Sequence, residues 1–300
     1  MAAFCHEYVR CESCRTLICA CPPEQGDATA DPHSLYGREY WFTHQRESYG
    51  LGDITQRART DFPERNIFWL NQLLNLRLPP GRVLEIGCAH GGFVRLLVEV
   101  GFDAIGLELS PAICDFARST FDIPVLQGRL EEQDLPSRSF DVIAMMDVLE
   151  HLPDPLATLR RCVQLLKDDG LLLIQTPCYP APKSFAELAA TQDKFLIHLN
   201  PREHTYLLGR GGVAALLSSA GAGHVAFLPA IFGFYDMFLA ASPQALSTVS
   251  PAERDACLLA TPRRRLVAGL LDAEARFRDL LEKHRALRKW MTHGEASYAA

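Results

Sequence analysis

The sequence predicts an α/β fold: a seven-stranded, mostly parallel sheet with helices on both faces, a Cys-rich segment before it and a helix after it. Three observations predict this. Short apolar segments at 83–88, 104–108, 125–127, 140–145 and 171–175 alternate with stretches long enough to be helices. These segments are apolar on both faces, which calls for a sheet covered on both sides. A glycine turn, Gly87-Cys88-Ala89-His90-Gly91-Gly92, stands between the first strand and the helix that follows it.

Residues 1–30 hold five of the ten cysteines and end in the turn-like Pro22-Pro23-Glu24-Gln25-Gly26-Asp27. Residues 31–80 are aromatic and charged, with Tyr36, Tyr40, Trp41, Phe42 and Tyr49, and read as a helical lid closed by Pro79-Pro80-Gly81. The core occupies 81–245. Its helix at 91–100 sets Phe93, Leu96, Leu97 and Val100 on one face. Ser110 and Pro111 offer the cap and first turn of the next helix. A helix at 156–166 leads through the turn Asp168-Asp169-Gly170 into the fifth strand, and a helix at 211–220 precedes apolar segments at 224–228 and 234–240. Those two are expected to be an antiparallel pair that finishes the sheet. Residues 246–300 form a helical extension. There Leu266, Leu270, Ala273, Phe277, Leu280, His284 and Leu287 follow a 4-3-4-3 spacing, a heptad-like seam. The expectation is that this seam packs on its own domain; the alternative is a homodimer contact. Ala273 and His284 weaken the seam for the second use.

Composition excludes several classes. The 300 residues are 48% hydrophobic and 22% charged, ordinary for a globular protein. A net charge of −6 argues against a nucleic-acid partner, and Arg263-Arg264-Arg265 is too short a run to form a phosphate-binding face. No apolar run approaches the ~20 residues of a membrane span, and a secretory signal pattern is absent from the first residues. The expected location is cytoplasmic. Thiols stay reduced there, so the clustered cysteines point to metal rather than disulfides.

The glycine turn lets the backbone approach a ligand and aims helix N–H groups at it. Glu108 ends the second strand 21 residues after Gly87. That is near the ~20-residue offset at which a carboxylate meets ribose hydroxyls. A structural turn with an incidental glutamate would need two coincidences.

On these residues the stretch 83–176 resembles the Rossmann-like core of class I S-adenosylmethionine-dependent methyltransferases. In that family the first strand ends in acidic-x-Gly-x-Gly-x-Gly. Glu85, Gly87 and Gly91 match, and Ala89 replaces the middle glycine. The resemblance implies that Glu85 and Gly87, with Cys88 and Gly91 of the same turn, lie against the methionine end of the cofactor. It implies that Glu108 holds the ribose, that Leu109 flanks the adenine, and that Leu130 offers its backbone amide. Arg129 stands where many relatives carry an acid. Asp147-Val148-Leu149-Glu150-His151-Leu152-Pro153-Asp154-Pro155 resembles the subgroup that includes ubiquinone-pathway O-methyltransferases and many sugar and antibiotic methyltransferases. By that resemblance Asp147 faces the sulfonium, and Tyr40 or Tyr49 of the lid touches the methionine end.

Methyl transfer is an in-line displacement with a good, neutral leaving group, so alignment does most of the work. A hydroxyl or amine acceptor also needs a base. His204, in a polar segment after the fifth strand, is the expected base or substrate contact. His151 is the second candidate; its competing reading is a helix-start residue bonded locally. Cys11-Glu12-Ser13-Cys14 is a C-x₂-C knuckle of the zinc-binding kind. It looks like the second knuckle of a zinc segment found in some sugar and natural-product methyltransferases, with Cys5 upstream. Structural zinc on Cys5, Cys11 and Cys14 and a relic segment with free thiols both stand. The sequence thus reads as a methyltransferase for a small-molecule or glycan acceptor, acting on oxygen. A nicotinamide-dependent oxidoreductase and a non-catalytic cofactor-binding partner protein are the alternatives.

Overall fold

The computed structural model describes residues 1–22, 35–50, 52–233 and 235–298. The turn expected at 22–27 therefore lies almost wholly outside the described residues, as does Phe234.

The chain opens with three short antiparallel strands, β1 (Ala2–Ala3), β2 (Tyr8–Arg10) and β3 (Leu17–Cys19). A π-helical turn, Tyr40–His44, runs into α1 (Gln45–Tyr49). α2 (Ile54–Asp61) starts at Asp53, whose side chain accepts the Gln56 amide while the Gln56 side chain accepts the Asp53 amide, a capping box. A second π turn, Phe62–Asn66, precedes α3 (Ile67–Leu74).

The core then alternates strand and helix: β4 (Arg82–Ile86), α4 (Gly92–Val100), β5 (Asp103–Glu108), α5 (Pro111–Phe121), β6 (Val125–Gln127), β7 (Phe140–Met146), α6 (Pro155–Leu165) and β8 (Leu166–Pro177). α7 (Phe185–Ala190), β9 (Tyr206–Leu207), α8 (Arg210–Ala220), β10 (His224–Leu228) and β11 (Asp236–Ser242) follow, then α9 (Pro251–Leu259) and α10 (Pro262–Tyr298). The large sheet runs β10-β11-β8-β7-β4-β5-β6. Only β11 pairs antiparallel, with β8 and with β10. This is the predicted Rossmann-like sheet, including its closing antiparallel pair.

Side-chain alternation assigns each strand to two cores. Val83, Val142, Leu171, Leu173 and Phe238 face α3, α4 and α10. Leu84, Ile143, Leu172, Ile174 and Leu239 face α6 and α8. One local expectation fails: Asp168-Asp169-Gly170 is not a turn but part of β8. The strand passes so close to β7 that a Cβ on Gly170 would sit 3.0 Å from the Phe140 carbonyl oxygen. The register with β7 shifts at this place.

The N-terminal strands join a segment from the far end of the core. β3 pairs with β9, Leu17 opposite Leu207 and Ile18 opposite Tyr206, giving the order β1-β2-β3-β9. All ten cysteines are free thiols. The Cys11 and Cys14 side chains meet, and the Cys14 thiol donates to Thr16 Oγ1 at 3.2 Å, but Cys5, Cys11 and Cys14 do not form a three-ligand grouping among the described residues. No helix among the described residues is long and apolar enough to cross a membrane.

The C-terminal helix corrects a second expectation. α10 does pack on its own domain, but through Val267, Leu271 and Glu274, which are buried, and through Arg278, stacked 4.2 Å over Phe68. The predicted seam lies on another face: Leu266 is 75% exposed, Phe277 and Leu280 63%, and Leu287 58%. The docking stripe runs one position out of step with the seam, and the Arg264 guanidinium fixes that rotation by donating to the Val100 carbonyl (2.8 Å) at the end of α4.

The two faces of α10 should respond oppositely to truncation. In dilute, monomeric protein Leu271→Ala is expected to cost about 2–5 kcal/mol in urea denaturation, and Leu270→Ala less than about 0.5 kcal/mol.

Candidate functional site

The carboxyl ends of β4, β5 and β7 form one rim, the usual ligand edge of such a sheet. Gly87 (φ +70°) and Gly91 (φ +85°) shape it. A Cβ on Gly87 would lie 2.5 Å from Val148 Cγ2, and one on Gly91 2.4 Å from Ile123 Cδ1. Ala89, which replaces the middle glycine, still adopts a left-handed φ of +46°.

Glu108 ties this turn to β5. One carboxylate oxygen accepts the Ala89 amide (3.1 Å) and the other accepts those of Leu109 (2.8 Å) and Ser110 (3.0 Å). Burial pushes its pKa up, against the pull of those amides. One lone-pair site, on the oxygen that takes the Ala89 amide, remains for a ribose hydroxyl. Glu85, beneath the turn, accepts the Val94 amide, and burial raises it well above the ordinary carboxylate range. Its Oε2 is buried without a partner. An orphaned carboxylate oxygen beside an open glycine turn fits a ligand with donors at its amino-acid and ribose ends, as S-adenosylmethionine has.

The other predicted cofactor residues differ in their surroundings. Cys88 is buried, its amide donates to the Leu107 carbonyl and its carbonyl accepts from Gly91. The Leu130 side chain is buried in the core, which leaves only its backbone for a contact. Leu109 is partly exposed at the rim. The Tyr49 side chain lies outside the described residues.

Asp147, just past β7, adopts φ +57°. Its carboxylate accepts Gln175 Nε2 (3.0 and 3.2 Å) and Arg65 (3.3 Å), and Gln175 is held in turn by Trp69 Nε1 (2.9 Å). Beyond it the structure brings His151 and His204 together, ring centroids 5.0 Å apart. His151 Nδ1 bonds the Glu203 carbonyl and His204 Nδ1 the His198 carbonyl, both at 2.7 Å. A carbonyl only accepts, so each Nδ1 carries the proton and each Nε2 offers a lone pair. Burial pushes the pKa of both imidazoles down. His198 falls to about 3, through burial and then His204 and His151.

Glu150 completes this end. Burial, then Asp147, raises it to about 8, and Asp236 rises to about 9 through burial, Asp147 and Glu150. The ligand atoms of Glu150, His151 and His204 lie within 4.8 Å of one another, the one grouping among the described residues that could hold a metal ion. The lid covers it: the Tyr40 hydroxyl donates to Glu203 (3.2 Å), and Tyr36 packs edge-on to His151 at 5.5 Å.

A buried latch joins the lid to the glycine turn. His90 Nδ1 accepts the Gly92 amide (3.0 Å) and Nε2 meets Asp61 at 3.1 Å. Nδ1 is thus unprotonated and His90 is neutral, in keeping with the downward shift that burial gives it. Burial alone would raise Asp61; the bond from His90 and the charges of Arg57 and Arg65 outweigh it and hold Asp61 at about 2.

Glu85, Gly87, Gly91, Glu108 and Asp147 therefore share one rim, and His151 and His204 lie together beyond Asp147. Sequence reasoning missed Glu150, Arg65, Gln175 and the His90–Asp61 latch. Only Glu150 carried a signal: Glu-His occurs at 150–151 and again at 203–204. A hollow of about 520 Å³ lined by Gly81, Arg82, Asp103, Asp141 and Lys167 lies at the opposite, amino-terminal edge of the sheet, away from this chemistry.

A glycine turn, a buried glutamate at the end of the second parallel strand and an acidic residue past the fourth are the features of a class I S-adenosylmethionine-binding enzyme. A family model described as a methyltransferase domain matches residues 44–222, and the chain belongs to that family of S-adenosylmethionine-dependent methyltransferases. It is 31% identical over 172 residues to the ubiquinone biosynthesis O-methyltransferase of Xanthomonas campestris pv. campestris (strain B100), covering 53% of this chain and 71% of that one. Its counterpart in Xanthomonas axonopodis pv. citri (strain 306) is 31% identical over 194 residues, covering 59% and 80%. The Haemonchus contortus phosphoethanolamine N-methyltransferase 2, solved with phosphomonomethylethanolamine and S-adenosylhomocysteine, shares the fold with a TM-score of 0.50 and 16% identity, covering 60% of this chain and 52% of that one.

Two outcomes follow. Glu108→Ala should weaken S-adenosylhomocysteine binding in calorimetry by roughly 10- to 100-fold, the loss of charge-assisted hydrogen bonds. Asp61 has a folded pKa below its ordinary value, so its stabilisation is complete above about pH 4 and is lost as pH falls toward about 2. Urea melts at about pH 5 and about pH 3 should show a larger loss for wild type than for Asp61→Asn.

Proposed function

We propose that the enzyme methylates a hydroxyl of a small-molecule or glycan acceptor, with His204 as the base. One observation carries this: two imidazole rings, each bonded through Nδ1 to a backbone carbonyl, lie with their centroids 5.0 Å apart, and His151 feels the charge of Asp147. The acceptor O–H gives its proton to His204 Nε2, the O–CH₃ bond forms and the S–CH₃ bond breaks, leaving neutral S-adenosylhomocysteine. His151 lies where it can hold the same oxygen. The O-methyltransferase names of the relatives support the choice of oxygen.

The Glu150–His151–His204 grouping favours a second reading of the same site. Two nitrogens and a carboxylate suit a divalent transition metal, each imidazole backed by a carbonyl as metal-binding histidines are. Such an ion would lower the pKa of a bound acceptor hydroxyl. The two readings separate on a panel of catechols and sugars. His204→Gln should lower kcat by roughly 10²- to 10⁴-fold. If a chelator also abolishes turnover and Mn²⁺ or Zn²⁺ restores it, the metal reading holds. Full turnover by His204→Gln rejects both.

The exposed seam of α10 supports a homodimer. Leu266, Leu270, Phe277, Leu280 and Leu287 bare an apolar strip at heptad spacing. It is of the order of a few hundred Å², as large as monomers leave exposed. Two copies paired along it would bury about 1,000 Å² in all, the lower bound for a specific interface. Sedimentation equilibrium should give a dimer for wild type and a monomer for the double variant Leu270→Glu, Phe277→Glu.

A further inference from the structure

We propose that the N-terminal Cys-rich segment is a strap that positions His204, with Tyr8 as its principal positioning residue. The inference rests on His204 belonging to the acceptor site.

The turn that carries His204 has few bonds of its own. The amides of Glu203 and His204 both donate to the Asn200 carbonyl. The Arg202 amide donates to Asn200 Oδ1 (3.2 Å), and the His204 ring is bonded to the His198 carbonyl; further bonds reach the turn from two other parts of the chain. On the rim side the Thr205 amide donates to the Glu150 carbonyl (2.9 Å), and His151 takes the Glu203 carbonyl. On the other side stands the N-terminal segment. The Tyr8 hydroxyl donates to the carbonyl of His204 itself at 2.8 Å. The Cys19 amide donates to the Thr205 carbonyl at 2.9 Å, and the Cys19 thiol points to the Pro201 carbonyl at 3.8 Å. β3 then continues the contact by pairing with β9 directly after the turn.

The strap is rigid enough to serve. Tyr8 and Leu17 are fully buried and Cys19 nearly so, in a separate cluster with Tyr179, Phe195 and Leu207. The Ala20 amide closes the segment on the Glu7 carbonyl at 2.8 Å. A buried hydroxyl that loses its acceptor is left desolvated and unpaired, which is costly, so Tyr8 and the His204 carbonyl hold each other in place. None of the strap's hydrogen bonds described above reaches Glu85, Gly87, Glu108 or Asp147. The strap therefore acts on the acceptor end and leaves the cofactor rim alone. This gives the Cys-rich segment a use that needs no metal.

The test needs no acceptor, so it stands even if the hydroxyl reading fails. Full-length protein with ¹⁵N-labelled histidine is saturated with S-adenosylhomocysteine in the presence of EDTA, and the His204 ring signals are assigned with His204→Gln. Wild type should show one Nδ1-protonated form. Tyr8→Phe keeps the buried ring and removes one O–H. It should shift or broaden the His204 signals and speed amide exchange at 203–207 by roughly two- to tenfold. Its S-adenosylhomocysteine Kd should stay within twofold of wild type. Unchanged His204 signals overturn the proposal. So does a loss of cofactor affinity as large as the change at His204, because the effect would then be general. A thermal melt of Tyr8→Phe confirms that the comparison is between folded proteins.

Discussion

A buried carboxylate that accepts three backbone amides is the constraint on which the rim depends. Glu108 receives Ala89 from the glycine turn and Leu109 and Ser110 from the start of α5. Each of these amides lies at or before a helix start, where no carbonyl of the helix can receive it. Without Glu108 the turn after β4 and the turn after β5 would each carry unpaired donors into a buried space. With it, two loops that are separate in sequence become one wall. The left-handed backbone at Ala89 is held by the same contact, since its amide is one of the three.

The rest of the rim repeats the pattern of a polar group fixed by partners on other elements. Asp147 sits in a left-handed conformation and is held by β8 through Gln175 and by the lid through Arg65. His90 holds the Gly92 amide and Asp61 of the lid. The lid is thus bonded to both ends of the cofactor edge. Covering this edge and shaping it are therefore done by the same contacts. Near His151 and His204 the balance differs. Glu150 and Asp236 are both raised, first by burial and then by Asp147, so these two carboxyls keep their protons more readily than exposed ones do.

What could be read from the sequence follows from range. The sheet was legible because each strand is a contiguous apolar run and each return helix lies next to it in sequence. The cofactor rim was legible because Glu85, Gly87, Gly91 and Glu108 fall within 24 residues and obey a spacing set by one strand–turn–helix–strand unit. The acceptor end was legible only as candidates. His151 and His204 stand 53 positions apart, and no local pattern says that their rings meet. The latch was not legible at all, because Asp61 and His90 lie on opposite sides of β4 in the chain. The turn expected at Asp168-Asp169-Gly170 failed for a different reason. A glycine that marks a turn in isolation here marks the close approach of two strands.

The seam of α10 shows how a correct pattern can be assigned to the wrong surface. Heptad spacing says that one stripe of a helix is apolar; it does not say what the stripe faces. Val267, Leu271 and Glu274 are displaced by one position from Leu266, Leu270 and Ala273, about 100° around the helix. A stripe containing a glutamate scores poorly as a core face, so the periodicity favoured the wrong one. Glu274 tolerates burial because Arg278 pairs with it one turn on, and Arg278 in turn stacks on Phe68. An ion pair with an aromatic lid thus substitutes for a hydrophobic residue at the docking face. That substitution leaves the more apolar stripe of Leu266, Leu270, Phe277 and Leu280 on the outward face.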